Sequence, residues 1–165
     1  MPRRKHLTRI PVWLPDDQRV VYFITACCYQ HRLVFADAKN VSIALDALID
    51  CAIKIQWHIH YACFMPDHVH VLLSPRQERQ QRLSVFINRW KSSATKRLHT
   101  IGMTGNIWQP EFFDRLLRAD ESLTDKWKYI RMNPVRKGLC KEPDDYPFCG
   151  TSDEIRVKLY GLPIG

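Results

Sequence analysis

The chain lacks several things, and each shortage excludes something. No stretch of the 165 residues approaches the ~18 consecutive apolar side chains of a membrane-crossing helix, so no membrane partner is expected. The basic start Met1-Pro2-Arg3-Arg4-Lys5 is followed by no apolar segment, which argues against a secretory signal and for a cytoplasmic protein. The six cysteines (Cys27, Cys28, Cys51, Cys63, Cys140, Cys149) contain no C-x-x-C pair. They read as reduced, mostly buried small apolar residues and not as a disulfide frame or a zinc cluster. Internal repeats, low-complexity tracts and Gly/Ser linkers are also missing. Carboxylates are the last deficit: 17 Asp+Glu stand against 25 Lys+Arg, a formal net charge of +8. That balance favours a polyanionic partner, DNA or RNA before membrane lipid.

What is present describes one globular domain, with 45% apolar residues and a length sufficient for a real core. Residues 1–18 form a basic, aperiodic arm. Arg19–Cys28 is rich in β-branched and aromatic residues and reads as a buried strand. From Ala38 to Ile55 the spacing of Val41, Leu45, Leu48, Ala52 and Ile55 predicts an amphipathic helix. A hairpin follows, with strands Ile55–Phe64 and His68–Ser74 joined by Met65-Pro66-Asp67. A second helix is predicted over Arg79–His99, and Ile107–Arg118 suggests a fourth, partly irregular strand. A third helix is predicted from Ser122 to about Met132, ended by Asn133-Pro134. The order β-α-β-β-α-β plus one helix predicts an α+β fold, a ferredoxin-like antiparallel sheet with a C-terminal helix carrying Tyr129. The domain itself spans residues 19–138. Residues 139–165 read as a patternless tail, of which the part from about Gly150 to Gly165 is expected to lie over the active site and restrain cleavage.

The chemistry-bearing feature is His68-Val69-His70. On a strand, residues i and i+2 point to one side, so two imidazoles project in parallel and could hold one divalent cation. His58-Ile59-His60 has the same spacing, and spacing alone hardly separates the two pairs. The later pair is favoured because apolar residues flank it on a central strand, whereas the earlier one falls on a predicted edge strand. On the third helix, Leu123, Trp127 and Ile130 form the buried stripe. Tyr129 lies off it, sharing a face with Lys126 and Asn133. Each of these three has a plainer alternative: a half-exposed aromatic, a solvated charge and a helix terminator. A phenol is a weak nucleophile at neutral pH unless charge on the transition state is stabilised. Tyrosine with a His-held Mg²⁺ or Mn²⁺, and the Asn133 carbonyl as an oxygen ligand, would make a coherent DNA nickase.

These residues resemble a known family. The run Tyr61–Leu73, containing His68-Val69-His70, is similar to the His-hydrophobic-His segment of the HUH single-strand DNA endonucleases. Trp108-Gln109, Phe113-Asp114-Arg115, Tyr129–Val135, Gly138-Leu139 and Asp145-Tyr146-Pro147 resemble the REP-associated tyrosine transposases. The likeness covers about residues 19–150 in the right order. It implies metal-dependent cleavage of single-stranded DNA beside a REP-like hairpin, with Tyr129 forming a covalent 5′-phosphotyrosine. His68 and His70 would be metal ligands and Asn133 a third, with Mg²⁺ or Mn²⁺ as the ion. A DNA-bound protein of this kind would associate with the nucleoid, as a monomer or a dimer.

With DNA as the implied partner, Arg3, Arg4, Lys5 and Arg9 could reach a groove or the foot of a hairpin. Arg89, Lys96 and Arg97 could follow phosphates, Lys126 could join them, and Trp108 could stack on an unpaired base. Two alternatives stay open: a non-catalytic binder of structured nucleic acid on the same scaffold, and a water-using metal nuclease with a structural Tyr129.

Overall fold

In a computed structural model, residues 20–76, 82–117 and 123–161 are described. The basic arm with Arg3, Arg4, Lys5 and Arg9 lies outside them. Five strands, β1 (Val21–Cys27), β2 (Trp57–Met65), β3 (His68–Pro75), β4 (Phe113–Leu117) and β5 (Cys149–Gly150), form one sheet in the order β4-β1-β3-β2-β5. Every pairing is antiparallel. The first four strands, with helices α1 (Ala38–Ile55) and α2 (Leu83–Thr100), form the expected ferredoxin-like α+β arrangement, with β3 central.

Alternation along the strands divides the side chains between two layers. Ile24, Ala26, Val69, Val71 and Leu73 face one side, where α1 and α2 close the main core with Leu45, Leu48, Phe86 and Trp90. The Trp90 indole N–H donates to the Ala44 carbonyl at 2.9 Å, tying α2 to α1. Helix α1 starts where Asp37 caps it, accepting from the Lys39 amide at 2.9 Å. On the opposite side, Leu72, Cys63 and Met65 form a second, smaller core with Ile130 of α3 (Leu123–Arg131). Helix α3 therefore lies across the sheet from α1 and α2, on the side to which His68 and His70 project.

Several boundaries and placements differ from expectation. Trp108 lies outside β4 and makes an isolated bridge with Cys28. Pro134 does not end the helical path: after Met132 a short helix α4 (Asn133–Arg136) begins, with proline in its first turn. The missing N–H costs nothing there, because the first amides of a helix have no intrahelical partner. Strand β2 is not the outermost strand, since β5 pairs with it at Ala62 and Cys63.

The tail is structured over its described residues, 139–161. Helix α5 (Ser152–Tyr160) carries a capping box formed by Thr151 and Glu154. Ile155 is fully buried in the main core, the Tyr160 hydroxyl contacts Ser42, and Arg156 meets Asp46 at 3.5 Å. This segment docks on α1, in the layer away from the histidines, so the expected cover over the active site is corrected. A Ser/Thr cap with Glu three residues on was the available sequence signal. All six cysteines are free, four of them buried, as expected. No described helix is long and apolar enough to cross a membrane.

Candidate active site

The hairpin turn places the histidines. Pro66 and Asp67 connect β2 to β3, and their carbonyls are pinned by the amides of Phe35 at 2.9 Å and Cys28 at 2.8 Å. His68 and His70 leave β3 toward the smaller core, and their Nε2 atoms stand 3.2 Å apart. Each Nδ1 has an oxygen partner: Asp67 Oδ1 for His68 at 2.7 Å, and Thr25 Oγ1 for His70 at 2.9 Å. A carboxylate only accepts, so His68 Nδ1 carries a proton, and its Nε2 faces His70. Thr25, directly opposite His70 in the β1–β3 register, can hold the second ring in the same sense.

Two nitrogens sharing one cation at ~2.1 Å stand about 3.0–3.4 Å apart for bond angles between 90° and tetrahedral. The observed pair fits that separation, and the outer partners are of the kind that orient metal-bound imidazoles. Burial, then the charges of His68, Lys126 and Arg136, push the His70 imidazole down to about 3, leaving it neutral and able to donate a lone pair at ordinary pH. Burial alone would raise the Asp67 carboxyl, but the hydrogen bond and charge of His68 outweigh it and hold the group below its usual value. No cluster of three His, Cys, Asp or Glu suited to a metal occurs among the described residues, so further ligands would be amide, water or substrate oxygens.

The depressed His70 value has a thermodynamic consequence. Between about pH 6.5 and 3 the unfolded chain binds a proton at residue 70 that the folded chain refuses. Stability thus falls with acidification across that window. Denaturant unfolding with chelator should show His70 costing about 2 kcal/mol between pH 7 and pH 5. His70→Asn should flatten that part of the curve, and an unchanged slope would contradict the assignment.

The other histidine pair differs in its surroundings. The β2 register shifts between Ile59 and Tyr61, His60 bonds Ser74 Oγ at 2.7 Å, and the Arg76 guanidinium approaches His58 Nδ1 at 3.4 Å. In this pair His58 Nδ1 and His60 Nε2 each meet a neighbouring side chain, whereas the Nε2 atoms of His68 and His70 face each other, which favours the later pair for a metal.

A cavity of about 560 Å³ opens beside His70. Phe23 and His70 line it from the sheet, Lys126, Tyr129 and Ile130 from α3, and Asn133, Arg136 and Lys137 from the turn beyond. None of these residues is acidic. Ile130 is buried and anchors α3, while its neighbour Tyr129 is 63% exposed. Phe23 stacks on His70 with centroids 5.2 Å apart. Lys126 Nζ lies 4.5 Å from the Phe23 ring and 5.3 Å from the Tyr129 ring, and Arg136 Cζ lies 4.3 Å from the Tyr129 ring. The arrangement can bind a phosphate, present a phenol to it and place a cation beside it.

Tyr129, His70, Asn133 and Lys126 are thus brought together, with His68 adjoining. The other expected DNA contacts are not. Arg89, Lys96 and Arg97 lie on α2, across the sheet from the cavity, and Arg97 pairs with Asp50 at 2.6 Å. Trp108, expected to be exposed for stacking, is 8% exposed and packs on Phe35 and Trp90 in the main core. Sequence reasoning missed Arg136 and Lys137, although they follow Tyr129 by seven and eight residues, two helical turns, because Asn133-Pro134 predicts the end of the helix. It also missed Phe113, which is 56% exposed and shares the cavity side of the sheet with Thr25 and His70.

Comparison with known proteins bears on the family and the fold. Residues 18–133 match the family described as "Transposase IS200 like". The chain is similar to the REP-associated tyrosine transposase of Escherichia coli K12, 28% identical over 98 residues, covering 59% of this chain and 56% of that protein. A Haemophilus influenzae protein provisionally given the same name is 27% identical over 108 residues, covering 59% of this chain and 61% of its own length. The chain thus spans about three fifths of the length of these curated relatives. A solved structure titled as a REP-associated tyrosine transposase bound to a REP hairpin superposes with a TM-score of 0.66. It covers 98% of this chain and 90% of that one at 22% identity, and so shows the fold. With the family match extending from before β1 to Asn133, the chain belongs to the IS200-like transposase family.

Proposed function

We propose that this protein is a metal-dependent single-stranded DNA endonuclease and strand transferase acting at REP-like hairpins through a covalent 5′-phosphotyrosine. The observation that carries this reading is that Tyr129 and His70 line one cation-walled cavity within a single chain. On this reading the tyrosine acts in cis, which the shared lining of that cavity supports.

His68 and His70 would hold Mg²⁺ or Mn²⁺, with the Asn133 carboxamide as an oxygen donor; two imidazoles in the set suit Mn²⁺ at least as well as Mg²⁺. When bound, the ion neutralises charge on the scissile phosphate and makes phosphorus a better electrophile. The chain's own residues do the rest. Phe23 and Thr25 fix the His70 ring, Asp67 fixes His68, and Ile130 anchors the helix that presents Tyr129. Lys126 and Lys137 attract the DNA backbone into the cavity. The Tyr129 phenol loses its proton, its oxygen bonds to phosphorus, and the P–O3′ bond breaks with the 3′ oxygen taking up a proton. The liberated 3′-hydroxyl, or that of another strand, attacks the phosphotyrosine to rejoin DNA, so the bond energy is conserved and no nucleotide cofactor is required.

The test uses a library of labelled single-stranded hairpins with randomised stems and flanks, incubated with the full chain and Mn²⁺. Denaturing gels should reveal a protein–DNA adduct that captures one hairpin class. Cleavage with no adduct would replace this reading with a water-using nuclease. Binding with neither would leave a non-catalytic hairpin binder.

Phe113 takes the stacking role expected of Trp108. It sits in the same cross-strand row as Thr25 and His70, about 10 Å from the latter at ~4.8 Å per strand. Phe113→Ala should weaken binding of the captured oligonucleotide about 5- to 150-fold, the worth of one stacked base, with little effect on an isolated duplex stem. Fluorescence anisotropy with the two DNAs checks it; equal affinity of variant and wild type for both would remove Phe113 from the interface.

A further inference from the structure

One cation of the cavity is built differently from the others. Arg136, at the end of α4, donates from Nη2 to the main-chain oxygen of Tyr129 at 2.8 Å. Its Cζ lies 4.3 Å from the centroid of the same residue's ring. The guanidinium is thereby held at two points to the residue that bears the phenol. It carries five N–H donors, of which that carbonyl uses one, so donors remain for an anion in the cavity it lines with His70. A planar fork held in this way matches two phosphate oxygens, whereas the ammonium of Lys126, 5.3 Å from the same ring, is a point charge on a flexible stem.

Taking the strand-transfer reading as its premise, we propose that Arg136 is a catalytic residue that grips a non-bridging oxygen of the scissile phosphate and keeps the Tyr129 oxygen aimed at phosphorus. As the Tyr129 Oη–P bond forms and the P–O3′ bond breaks, negative charge shifts from the phenol oxygen toward the phosphoryl and leaving oxygens. A guanidinium already beside the phenol follows that charge without reorganising. Because the anchor is the Tyr129 carbonyl, the grip travels with the covalent phosphotyrosine and serves rejoining as well as cleavage. Arg136 neither gains nor loses a proton in either step.

The experiment measures the single-turnover rate of adduct formation with the captured hairpin, full-length protein and Mn²⁺. Arg136→Ala should slow it about 10²- to 10³-fold at saturating DNA, with hairpin affinity and melting temperature near wild type, and Arg136→Lys should recover only part of the loss. A merely structural clasp would give the same slowing on any substrate. The decisive substrates therefore carry a methylphosphonate at the cleavage site, one diastereomer at a time. Where the methyl replaces the oxygen facing Arg136, no charge remains to be held, and wild type and Arg136→Ala should react at converging rates. A wild-type rate for Arg136→Ala on the natural linkage, or an undiminished defect on both diastereomers, would overturn the proposal. Failure of the wild-type protein to form any adduct would instead remove its premise.

Discussion

Tyr129→Phe is expected to give a folded protein that still binds its hairpin and forms no covalent adduct. The substitution removes one oxygen from a side chain that is 63% exposed, while the buried residue of that turn, Ile130, is untouched. A change in stability beyond about 0.5 kcal/mol would therefore be surprising. The rate should fall to background, roughly 10⁴- to 10⁶-fold, as it does when a covalent nucleophile is deleted, because the ring that remains offers phosphorus no electron pair. Lys126 and Arg136 lie over the ring face, so their contacts survive and DNA affinity should be kept. Gel analysis of the labelled hairpin gives the result directly. Strand scission continuing at a wild-type rate in the Phe variant would mean that water is the nucleophile and Tyr129 only a wall of the cavity.

The second large effect concerns the imidazole pair. His70→Ala should abolish both Mn²⁺ binding, read by titration calorimetry, and cleavage, while hairpin binding stays close to wild type. One nitrogen cannot replace the 3.2 Å pair, and the cations that attract DNA are separate groups. His68→Ala should behave alike. Asp67→Asn tests the orienting bond and should lower metal affinity about 10- to 100-fold without eliminating it. His58→Ala is the control and should leave cleavage near normal, since that ring meets Arg76 and does not line the cavity. Lost cleavage in His58→Ala with normal cleavage in His70→Ala would show that the wrong pair had been chosen.

Much of the scaffold could be read from local pattern. Val41, Leu45, Leu48, Ala52 and Ile55 gave the bounds of α1 as they are observed, and the i, i+2 spacing of His68 and His70 on a strand put both imidazoles on one common face. The face shared by Lys126, Tyr129 and Asn133 was legible because three- and four-residue spacing is a property of the helix itself. Trp108 and Phe113 show where such reasoning stops. Both are aromatics in the stretch Ile107–Arg118 that reads as one strand, and composition does not separate them. Trp108 is drawn into the helix-side core through its bridge to Cys28, whereas pairing with Thr25 turns Phe113 to the open side. The basic residues of α2 failed for a related reason: their exposure was readable, but not the layer in which α2 lies.

By itself the sequence determined which atoms are available and which neighbours share a face: two imidazoles one strand period apart, and a phenol one helical turn from a carboxamide. Near-neighbour geometry follows from fixed backbone repeats, so it needs no knowledge of the rest of the chain. Only the tertiary structure decided that α3 lies across the sheet from α1 and α2, that α4 swings Arg136 over the phenol, and that α5 docks away from the cavity. Those outcomes depend on which apolar surfaces find each other between segments far apart in the chain, and periodicity carries no information about that.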